Sequence, residues 1–179
     1  MDDLYLKVVE ETDINILRDY NNSLKNNNSS GWVSEDKFAN LLNDWKRDIQ
    51  DRLKVHFFPY WLMNNDKVIG LVIIKDNIEA DDTWKNFGGN ISYVIMPSYR
   101  KKGYGTKSLY LALKKCKELG IKTVLITCLD SNIGSMKIIE NNYGKLKDIC
   151  VDESSGELAR RYLINVDESL NLYKNNINI

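Results

Sequence analysis

The 179-residue chain is predicted to form one mixed α/β domain, residues 1–179, and three observations lead to this prediction. Its length and its 43% content of hydrophobic residues suit a single domain with a full core. Apolar patterns of strand and helix type follow one another in the order β-α-α-β-β-β-α-β-α-β-β, unlike the regular alternation of a doubly wound nucleotide-binding fold. A loop with two glycines joins a strand pattern to a helix pattern near the middle of the chain.

The first third of the chain predicts a strand and two helices. Residues 4–9 have a strand pattern, and Thr12 or Asp13 can cap the helix that follows. Residues 26–31 break that helix, and Ser34 can cap a second one. The apolar side chains at helical spacing are Ile16, Leu17, Tyr20 and Leu24 in the first helix, and Phe38, Leu41, Leu42, Trp45 and Ile49 in the second.

The middle of the chain predicts a hairpin and one further strand. Residues 57–63 and 68–75 have strand patterns, and the Asn64-Asn65-Asp66 segment between them is typical of a hairpin turn. Residues 77–87 are predicted to form a polar, acidic loop that contains Trp84. Residues 91–96 predict the next strand, which ends before Pro97 because proline cannot extend a central ladder.

The remaining segments predict two helices and three strands. An amphipathic helix pattern covers residues 107–119, with its start at Thr106 and Gly120 as its C-cap residue. Residues 123–128 have a strand pattern, and a helix is expected within residues 130–144. Two strands, residues 145–151 and 158–166, are joined by a turn at residues 152–156, and the tail at residues 175–179 is expected to fray.

The loop at residues 100–106, Arg-Lys-Lys-Gly-Tyr-Gly-Thr, is the most informative part of the sequence. Two glycines let the backbone turn tightly and approach a ligand without interference from a Cβ atom. The first N–H groups of the following helix have no intrahelical partner and lie at the positive end of the helix dipole. Because Lys101 and Lys102 add positive charge, the segment predicts an anion site, most often one for phosphate.

Two common phosphate loops fit this segment poorly. A Walker A loop requires Gly-Lys-Ser/Thr, but Thr106 separates Gly105 from Lys107. A Rossmann fingerprint requires a third glycine where Ser108 stands, and residues 97–99 leave too long a gap after the strand.

The segment Met96-Pro97-x-x-Arg100-x-x-Gly103-x-Gly105 resembles the acetyl-CoA pyrophosphate loop of the GNAT superfamily of N-acetyltransferases, whose signature is Arg/Gln-x-x-Gly-x-Gly/Ala. Residues 130–144 are similar to the segment that closes the core of that superfamily, where a Glu-x-x-aromatic-Gly run ends the helix. Here that run is Glu140, Tyr143 and Gly144. The resemblance covers residues 60–150, and it is strongest to a poorly characterised group of predicted acetyltransferases with Gly88-Gly89 before the fourth strand. It implies a central, mostly antiparallel twisted sheet, flanked by helices, whose fourth and fifth strands splay apart.

The resemblance also implies where acetyl-CoA, the co-substrate, would bind. Backbone groups of the fourth strand would pair with the pantetheine arm, N–H groups of the loop would bind the pyrophosphate, and the later helix would face the cofactor. A bulge in the fourth strand is expected to aim an N–H near Ile95 at the thioester carbonyl. The implied binding residues are Tyr93, Val94, Ile95, Arg100, Lys101, Lys102, Gly103, Tyr104, Gly105, Thr106, Asn132 and Ser135.

The implied activity is transfer of an acetyl group to a primary amine by direct attack, on a small-molecule or peptidyl acceptor. A general base would help, because a lysine-like amine with a pKa of about 10.4 is almost entirely protonated at pH 7. The sequence assigns no catalytic residue. The candidate bases, each of which could equally be a solvated loop carboxylate, are Asp76, Glu79, Asp81 and Asp82.

One departure from the superfamily leaves an alternative function open. Ile139 stands where many members have a tyrosine that protonates the leaving thiolate, and Tyr104 or Tyr143 would have to replace it. The missing tyrosine leaves open that the chain is a non-catalytic acyl-CoA-binding module. A separate alternative, based on the loop alone, is a nucleotide-phosphate binder. His56, the only histidine, and Trp32 are further candidates for catalysis and for acceptor contact, although both could simply pack.

The composition limits the classes of partner and the location that we expect for the chain. With 25 basic and 25 acidic residues the net charge is zero, which argues against a nucleic-acid partner held by charge. The three cysteines are widely spaced and odd in number, so neither a disulfide framework nor a metal site is expected. We expect no membrane association and a cytoplasmic location, because no segment has the ~20 apolar residues of a membrane span and no signal peptide is evident. The C-terminal strands are a candidate contact for a homodimer.

Overall fold

The structure, a computed structural model, describes residues 3–31, 33–36, 38, 55–152 and 155–177. Its strands form two separate sheets. The first sheet has the order β1-β2-β3-β4, and every neighbouring pair is antiparallel. The second sheet has the order β5-β7-β6 and is also antiparallel. The strands are β1 Leu4–Val8, β2 Phe57–Asn64, β3 Lys67–Lys75, β4 Ile91–Ile95, β5 Thr123–Leu129, β6 Lys145–Val151 and β7 Leu158–Asn165.

Helices cover both faces of the first sheet and one face of the second. The helices, numbered along the described residues, are α1 Ile14–Lys25, α2 Tyr104–Glu118, α3 Ile133–Glu140 and α4 Val166–Ile177. On one face, buried side chains of both sheets pack with Leu109 and Leu113 of α2 and with Leu170 of α4 in one shared core. On the other face of the first sheet, a second core joins α1 to the buried ring of Trp61. The resulting layers agree with the predicted mixed α/β fold, in which antiparallel strands are flanked by helices.

Several predicted elements are confirmed with small changes of boundary. The hairpin turn lies where expected, because β2 ends at Asn64, β3 begins at Lys67, and Asn65 adopts a left-handed φ of 50°. The acidic loop after β3 contains two short helical turns, Ile78–Ala80 and Trp84–Gly88. The predicted second helix falls almost wholly outside the described residues, as do Trp32, Leu41, Leu42, Trp45 and Ile49.

The C-terminal helix was not predicted. The expected strand, residues 158–166, ends at Asn165, and the helix α4, Val166–Ile177, follows it directly. Its start carries the usual signals, since Asp167 and Glu168 lie in the first turn and Asn165 Oδ1 accepts a hydrogen bond of 3.0 Å from Glu168 N. Tyr173 stacks on Tyr110 of α2 with ring centroids 4.2 Å apart, which fixes α4 against α2.

Candidate functional site

Asn90, just before β4, joins the two sheets through hydrogen bonds. Asn90 N donates to Leu125 O of β5 at 2.7 Å, and Leu125 N donates to Asn90 Oδ1 at 2.8 Å. Asn90 also bonds β3 on its other side, through Nδ2 to Lys75 O at 2.9 Å and through its own carbonyl to Lys75 N at 2.7 Å. Beyond this point β4 is the edge of one sheet and β5 is the edge of the other. The predicted splay of the fourth and fifth strands is therefore present.

A glycine makes this close approach possible. Gly89 has a φ of +59°, and a Cβ atom there would lie 2.6 Å from the Leu125 carbonyl oxygen. Only glycine tolerates both the backbone conformation and the contact. The Gly88-Gly89 pair noted in the sequence thus shapes the point from which the strands diverge.

The expected bulge in the fourth strand is absent. Along the described pairing of β3 with β4, the register runs without a shift from Gly70 opposite Ile95 to Ile74 opposite Ile91. The main-chain groups of β4 still point alternately toward and away from β3. Met96 N donates to Ile69 O of β3, and the Val94 carbonyl points at Gly70 of β3. Because successive residues of a strand point to opposite sides, the N–H groups of Tyr93 and Ile95 point away from β3, toward the gap. The bulge was expected to aim a main-chain N–H into the gap, and the separation of β4 from β5 leaves such N–H groups without a strand partner in the described sheets.

The glycine loop turns the chain from β4 into α2. Arg100 Nε donates to the carbonyl of Ile95 at 2.9 Å, which ties the loop to the end of β4. Lys101 and Gly103 have left-handed φ values of 59° and 81°. The first bond at the start of α2 runs from Lys107 N to Gly103 O at 3.2 Å, so the preceding N–H groups lie ahead of the helical ladder. This geometry is that of an anion-binding helix start.

The two glycines of the loop have different roles. A Cβ atom on Gly103 would meet nothing within 4 Å, so this position faces open space at the helix start. A Cβ atom on Gly105 would lie 2.4 Å from Ile138 Cδ1. Helix α2 begins at Tyr104, two residues earlier than predicted, so Gly105 belongs to the first turn and allows α3 to pack against it. Gly103 leaves space open at the helix start, and Gly105 allows α2 and α3 to lie close together.

A cleft of about 600 Å³ lies between the end of β4 and the starts of α2 and α3. Ten of the twelve residues predicted to bind acetyl-CoA line it: Tyr93, Val94, Ile95, Arg100, Lys101, Gly103, Gly105, Thr106, Asn132 and Ser135. Ser30, Gly134, Lys137 and Ile138 complete the described lining. The structure thus brings together three segments, within residues 93–95, 100–106 and 132–135, that were predicted to share one ligand.

Lys102 and Tyr104 are not among the described lining residues. Lys102 Nζ donates to Ser98 O at 2.9 Å and lies 5.7 Å from the centre of the Tyr99 ring. Tyr104 is buried, and its hydroxyl accepts a hydrogen bond of 3.1 Å from Asn64 Nδ2. Both side chains therefore make contacts within the protein: Lys102 with the turn before the loop, and Tyr104 with β2.

Helix α3 begins at the cleft with a side-chain cap. Asn132 Oδ1 accepts a hydrogen bond of 3.0 Å from Ser135 N, as is typical of an N-cap asparagine. Further along α3, Ile139 is fully buried in the core between the sheets and α2. The position that carries the acid tyrosine in many relatives is therefore a packing position in this chain.

A profile of the acetyltransferase (GNAT) family matches residues 17–145, which is well over half of the chain. The chain belongs to this family. It is accordingly an acyltransferase that uses acetyl-CoA as co-substrate, and the expected fold and enzyme class are confirmed. No curated protein sequence matches the chain.

Solved structures of N-acetyltransferases share the fold at low sequence identity. A mutant form of the spermidine/spermine N-acetyltransferase SpeG from Vibrio cholerae is 19% identical with a TM-score of 0.66, and the alignment covers 94% of this chain and 97% of SpeG. RimL, a ribosomal L7/L12 α-N-protein acetyltransferase in complex with coenzyme A, is 15% identical with a TM-score of 0.68 and coverages of 92% and 94%. The aminoglycoside acetyltransferase AAC(6')-Ib with coenzyme A is 15% identical with a TM-score of 0.69 and coverages of 96% and 99%.

The candidate bases of this GNAT protein have separate environments. Asp76 pairs with His56, whose Nδ1 lies 3.0 Å from a carboxylate oxygen and whose main-chain N donates to Asp76 Oδ1 at 3.0 Å. Sequence reasoning named both residues but did not pair them. Glu79 forms an exposed ion pair with Lys85, and Asp81 accepts hydrogen bonds from the N–H groups that start the Trp84–Gly88 turn. Among these carboxylates, Asp76 is the one that the structure pairs with a histidine.

Sequence reasoning missed Lys75. This side chain is 1% exposed, its Nζ donates to Ser92 Oγ at 2.8 Å, and it lies 4.7 Å from the centre of the Trp84 ring. Burial lowers the pKa of Lys75 to about 8, because no carboxylate among the described residues is close enough to form an ion pair with it. A lysine at the end of an otherwise apolar strand, Lys67–Lys75, gives little signal in a sequence, because strand ends usually reach solvent.

Two negative findings apply to the described part of the chain. It contains no cluster of three or more His, Cys, Asp or Glu residues with which a metal ion could be bound. None of its helices combines the length and the apolar character that crossing a bilayer requires.

Proposed function

We propose that this GNAT protein transfers the acetyl group of acetyl-CoA to a primary amine by direct attack, and that the cleft beside β4 binds the co-substrate. The observation that carries the proposal is the alignment of an open anion site at the start of α2 with the unpaired edge of β4. A diphosphate and an extended amide-bearing arm need these two features in succession. The proposed binding residues are the twelve named from the sequence, with Lys102 and Tyr104 acting through their main-chain groups.

The residues present fit coenzyme A at both ends of the cleft. The open space at Gly103 leaves room for phosphate oxygens at the helix start, and Arg100 and Lys101 supply positive charge beside it. The N–H groups of Tyr93 and Ile95 point into the gap, where they can pair with the amides of an extended ligand. An N–H near Ile95 is also placed to stabilise negative charge on a thioester oxygen, and removal of one such donor typically costs about 3 kcal/mol.

The acceptor is proposed to be a small-molecule or peptidyl amine. A second hollow, of about 530 Å³, lies between the loops that follow β3 and β6. Asp82 and Asp152 line it, and Arg161 is held at its edge by Asp148 at 2.5 Å. Carboxylates there would favour an acceptor that arrives as a cation. The solved relatives act on spermidine, a ribosomal protein and an aminoglycoside, each of which offers an amine.

We further propose one cytoplasmic domain over residues 1–179, with its core at about residues 60–150. Three free cysteines, two of them buried, support a reducing compartment. A homodimer through the C-terminal strands remains part of the proposal, because the described edge strand β6 exposes Leu146, Ile149 and Val151.

Isothermal titration with coenzyme A tests the site through the substitution Gly103→Arg. The new side chain would fill the open space at the helix start, so we expect a loss of coenzyme A affinity of at least 100-fold with the fold retained. Gly120→Arg is a matched control, since Gly120 lies at the opposite end of α2, has a similar φ of +77°, and also has nothing within 4 Å of a Cβ atom. Equal affinities in the two variants would refute the assigned loop.

Thiol release from acetyl-CoA in the presence of a panel of amines tests the chemistry. Turnover on at least one amine is expected. Tight coenzyme A binding without turnover on any acceptor would favour the acyl-CoA-binding module instead. Thermal stabilisation by ATP but not by coenzyme A would favour the nucleotide-phosphate binder and overturn the proposed function.

A further inference from the structure

The hydroxyl of Tyr93 is a buried polar group without a hydrogen-bond partner. Tyr93 lies in β4 and lines the cleft, yet its hydroxyl is screened from water and, within the described part of the chain, has no donor or acceptor in hydrogen-bond geometry. Leaving a buried hydroxyl without a partner destabilises a folded protein, so such a group needs an explanation, and a catalytic role is one of those known.

The surroundings of this hydroxyl keep it protonated. Burial raises the pKa of Tyr93 to about 12, and the nearby Ser135 hydroxyl offsets this effect only in part. Tyr93 therefore holds a proton throughout the physiological range and can act as a hydrogen-bond donor. Ser135 and Asn132, at the start of α3, line the same cleft as Tyr93.

We propose that Tyr93 is the residue that donates a proton to the departing sulfur of coenzyme A, an inference that rests on the proposed acetyl transfer. The amine nitrogen forms a bond to the acetyl carbon as the carbon–sulfur bond breaks, and the sulfur leaves with the electron pair. The Tyr93 hydroxyl proton passes to that sulfur. The amine loses one proton to solvent, and solvent returns one proton to the Tyr93 oxygen, so atoms and charges balance.

Tyr104, which the sequence offered for this role, is placed less well. The Tyr104 hydroxyl is already bonded to Asn64 and lies in a separate apolar cluster with Leu62 and Ile69. Ile139 cannot donate, and it is enclosed in the core. Tyr93 is the tyrosine of the described cleft lining, so the chain would supply from β4 the proton that many relatives supply from the later helix.

Coenzyme A and desulfo-coenzyme A, which lacks the sulfur, test this inference by binding alone. The measurement is made at pH 8.5, where about half of the free thiol is ionised. We expect the wild-type protein to bind coenzyme A about three- to tenfold more tightly than desulfo-coenzyme A, which is the difference that one hydrogen bond makes. Tyr93→Phe should remove this preference and leave the affinity for desulfo-coenzyme A unchanged. Tyr110→Phe is the matched control, because Tyr110 stacks on Tyr173 between α2 and α4 and should keep the preference.

The same substitution should also affect the rate of acetyl transfer. Tyr93→Phe should lower kcat about 100-fold, the low end of the range for general acid catalysis, because a thiolate already leaves readily. The KM for acetyl-CoA should change little. A preference for coenzyme A that survives in Tyr93→Phe but is lost in Ser135→Ala would overturn the inference and leave the acetyl transfer intact. Failure of the wild-type protein to bind either ligand would refute the proposed function itself.

Discussion

Asn90 and Leu125 form a two-bond junction, and this junction is where the cleft begins. The two hydrogen bonds, 2.7 and 2.8 Å long, join the main chain and side chain of Asn90 to the main chain of β5. Two further bonds join Asn90 to Lys75 of β3. The Asn90 side chain therefore makes hydrogen bonds that main-chain groups would make in a continuous sheet. Strands β4 and β5 separate immediately after it. Replacement of this residue should affect both stability and ligand binding.

Asn90→Ala is expected to lower the free energy of unfolding by about 2–4 kcal/mol, because Leu125 N and Lys75 O would both lose buried partners. Coenzyme A affinity should fall as well, since the angle between β4 and β5 is no longer held. Urea unfolding and calorimetric titration measure the two effects. Asn171→Ala, an exposed change on α4, should stay within about 0.5 kcal/mol of the wild type. A stability loss no larger than that of the control would contradict the junction.

Arg100 is expected to matter for both the shape and the charge of the anion site. Arg100→Ala removes the bond from Nε to the Ile95 carbonyl and one positive charge beside the start of α2. Hydrogen bonds that involve charged groups contribute about 1.5–3 kcal/mol, so coenzyme A affinity should fall about 10- to 100-fold. Arg100→Lys should give an intermediate value, because it keeps the charge without the planar fork. If Lys107→Ala, an exposed change in the first turn of α2, weakens binding equally, the effect is one of charge alone.

Ser108 provides a test of packing in the same helix. Its side chain is fully buried in α2, and its hydroxyl has no hydrogen-bond partner in the described structure. Ser108→Ala removes an unsatisfied polar atom and improves helix propensity, so the free energy of unfolding should rise by about 0.5–1 kcal/mol. Ser108→Val, which adds volume to a packed site, should instead destabilise the protein. A stability loss in the alanine variant, measured by urea unfolding, would show that the hydroxyl does have a partner in solution.

The sequence predicted the parts of this site that depend on backbone conformation. Gly103 and Pro97 mark the loop, the apolar alternation marks β4, and Asn132 marks the start of α3, because each residue type reports local geometry. The features it missed depend on tertiary position. The pairing of His56 with Asp76, the burial of Lys75 and the unpaired hydroxyl of Tyr93 arise only when distant segments meet.

The C-terminal helix was missed for a different reason. Its N-terminal signals, Asp167 and Glu168, follow β7 without a loop, because the strand ends at Asn165 and the helix begins at Val166. A continuous pattern of this kind hides the boundary between strand and helix. The prediction of a bulge in β4 was wrong because it transferred a family feature to this chain. Here the splay starts at Gly89 and Asn90, where the close approach to β5 ends.

Lys75 makes a prediction about the dependence of stability on pH. Its pKa is about 8 in the folded protein, against an ordinary value of 10.5, and the cause is burial. Between these two pH values the unfolded chain binds more protons at this group than the folded chain does, so folding stability should rise as the pH rises from 8 to 10.5. The full gain corresponds to about 3 kcal/mol. Below pH 8 both states are protonated and the group adds no further dependence.

Lys75→Met isolates this contribution from the other groups that titrate in the same range. The difference in unfolding free energy between the wild-type protein and the variant should shift in favour of the wild type by up to about 3 kcal/mol as the pH rises from 8 to 10.5. Urea unfolding at a series of pH values measures it. Lys114→Met, an exposed change on α2, should show a constant difference. A constant difference for Lys75→Met as well would mean that the Lys75 amine is hydrated in solution, and hence that the face of β4 beside Ser92 is open to water rather than closed by Trp84.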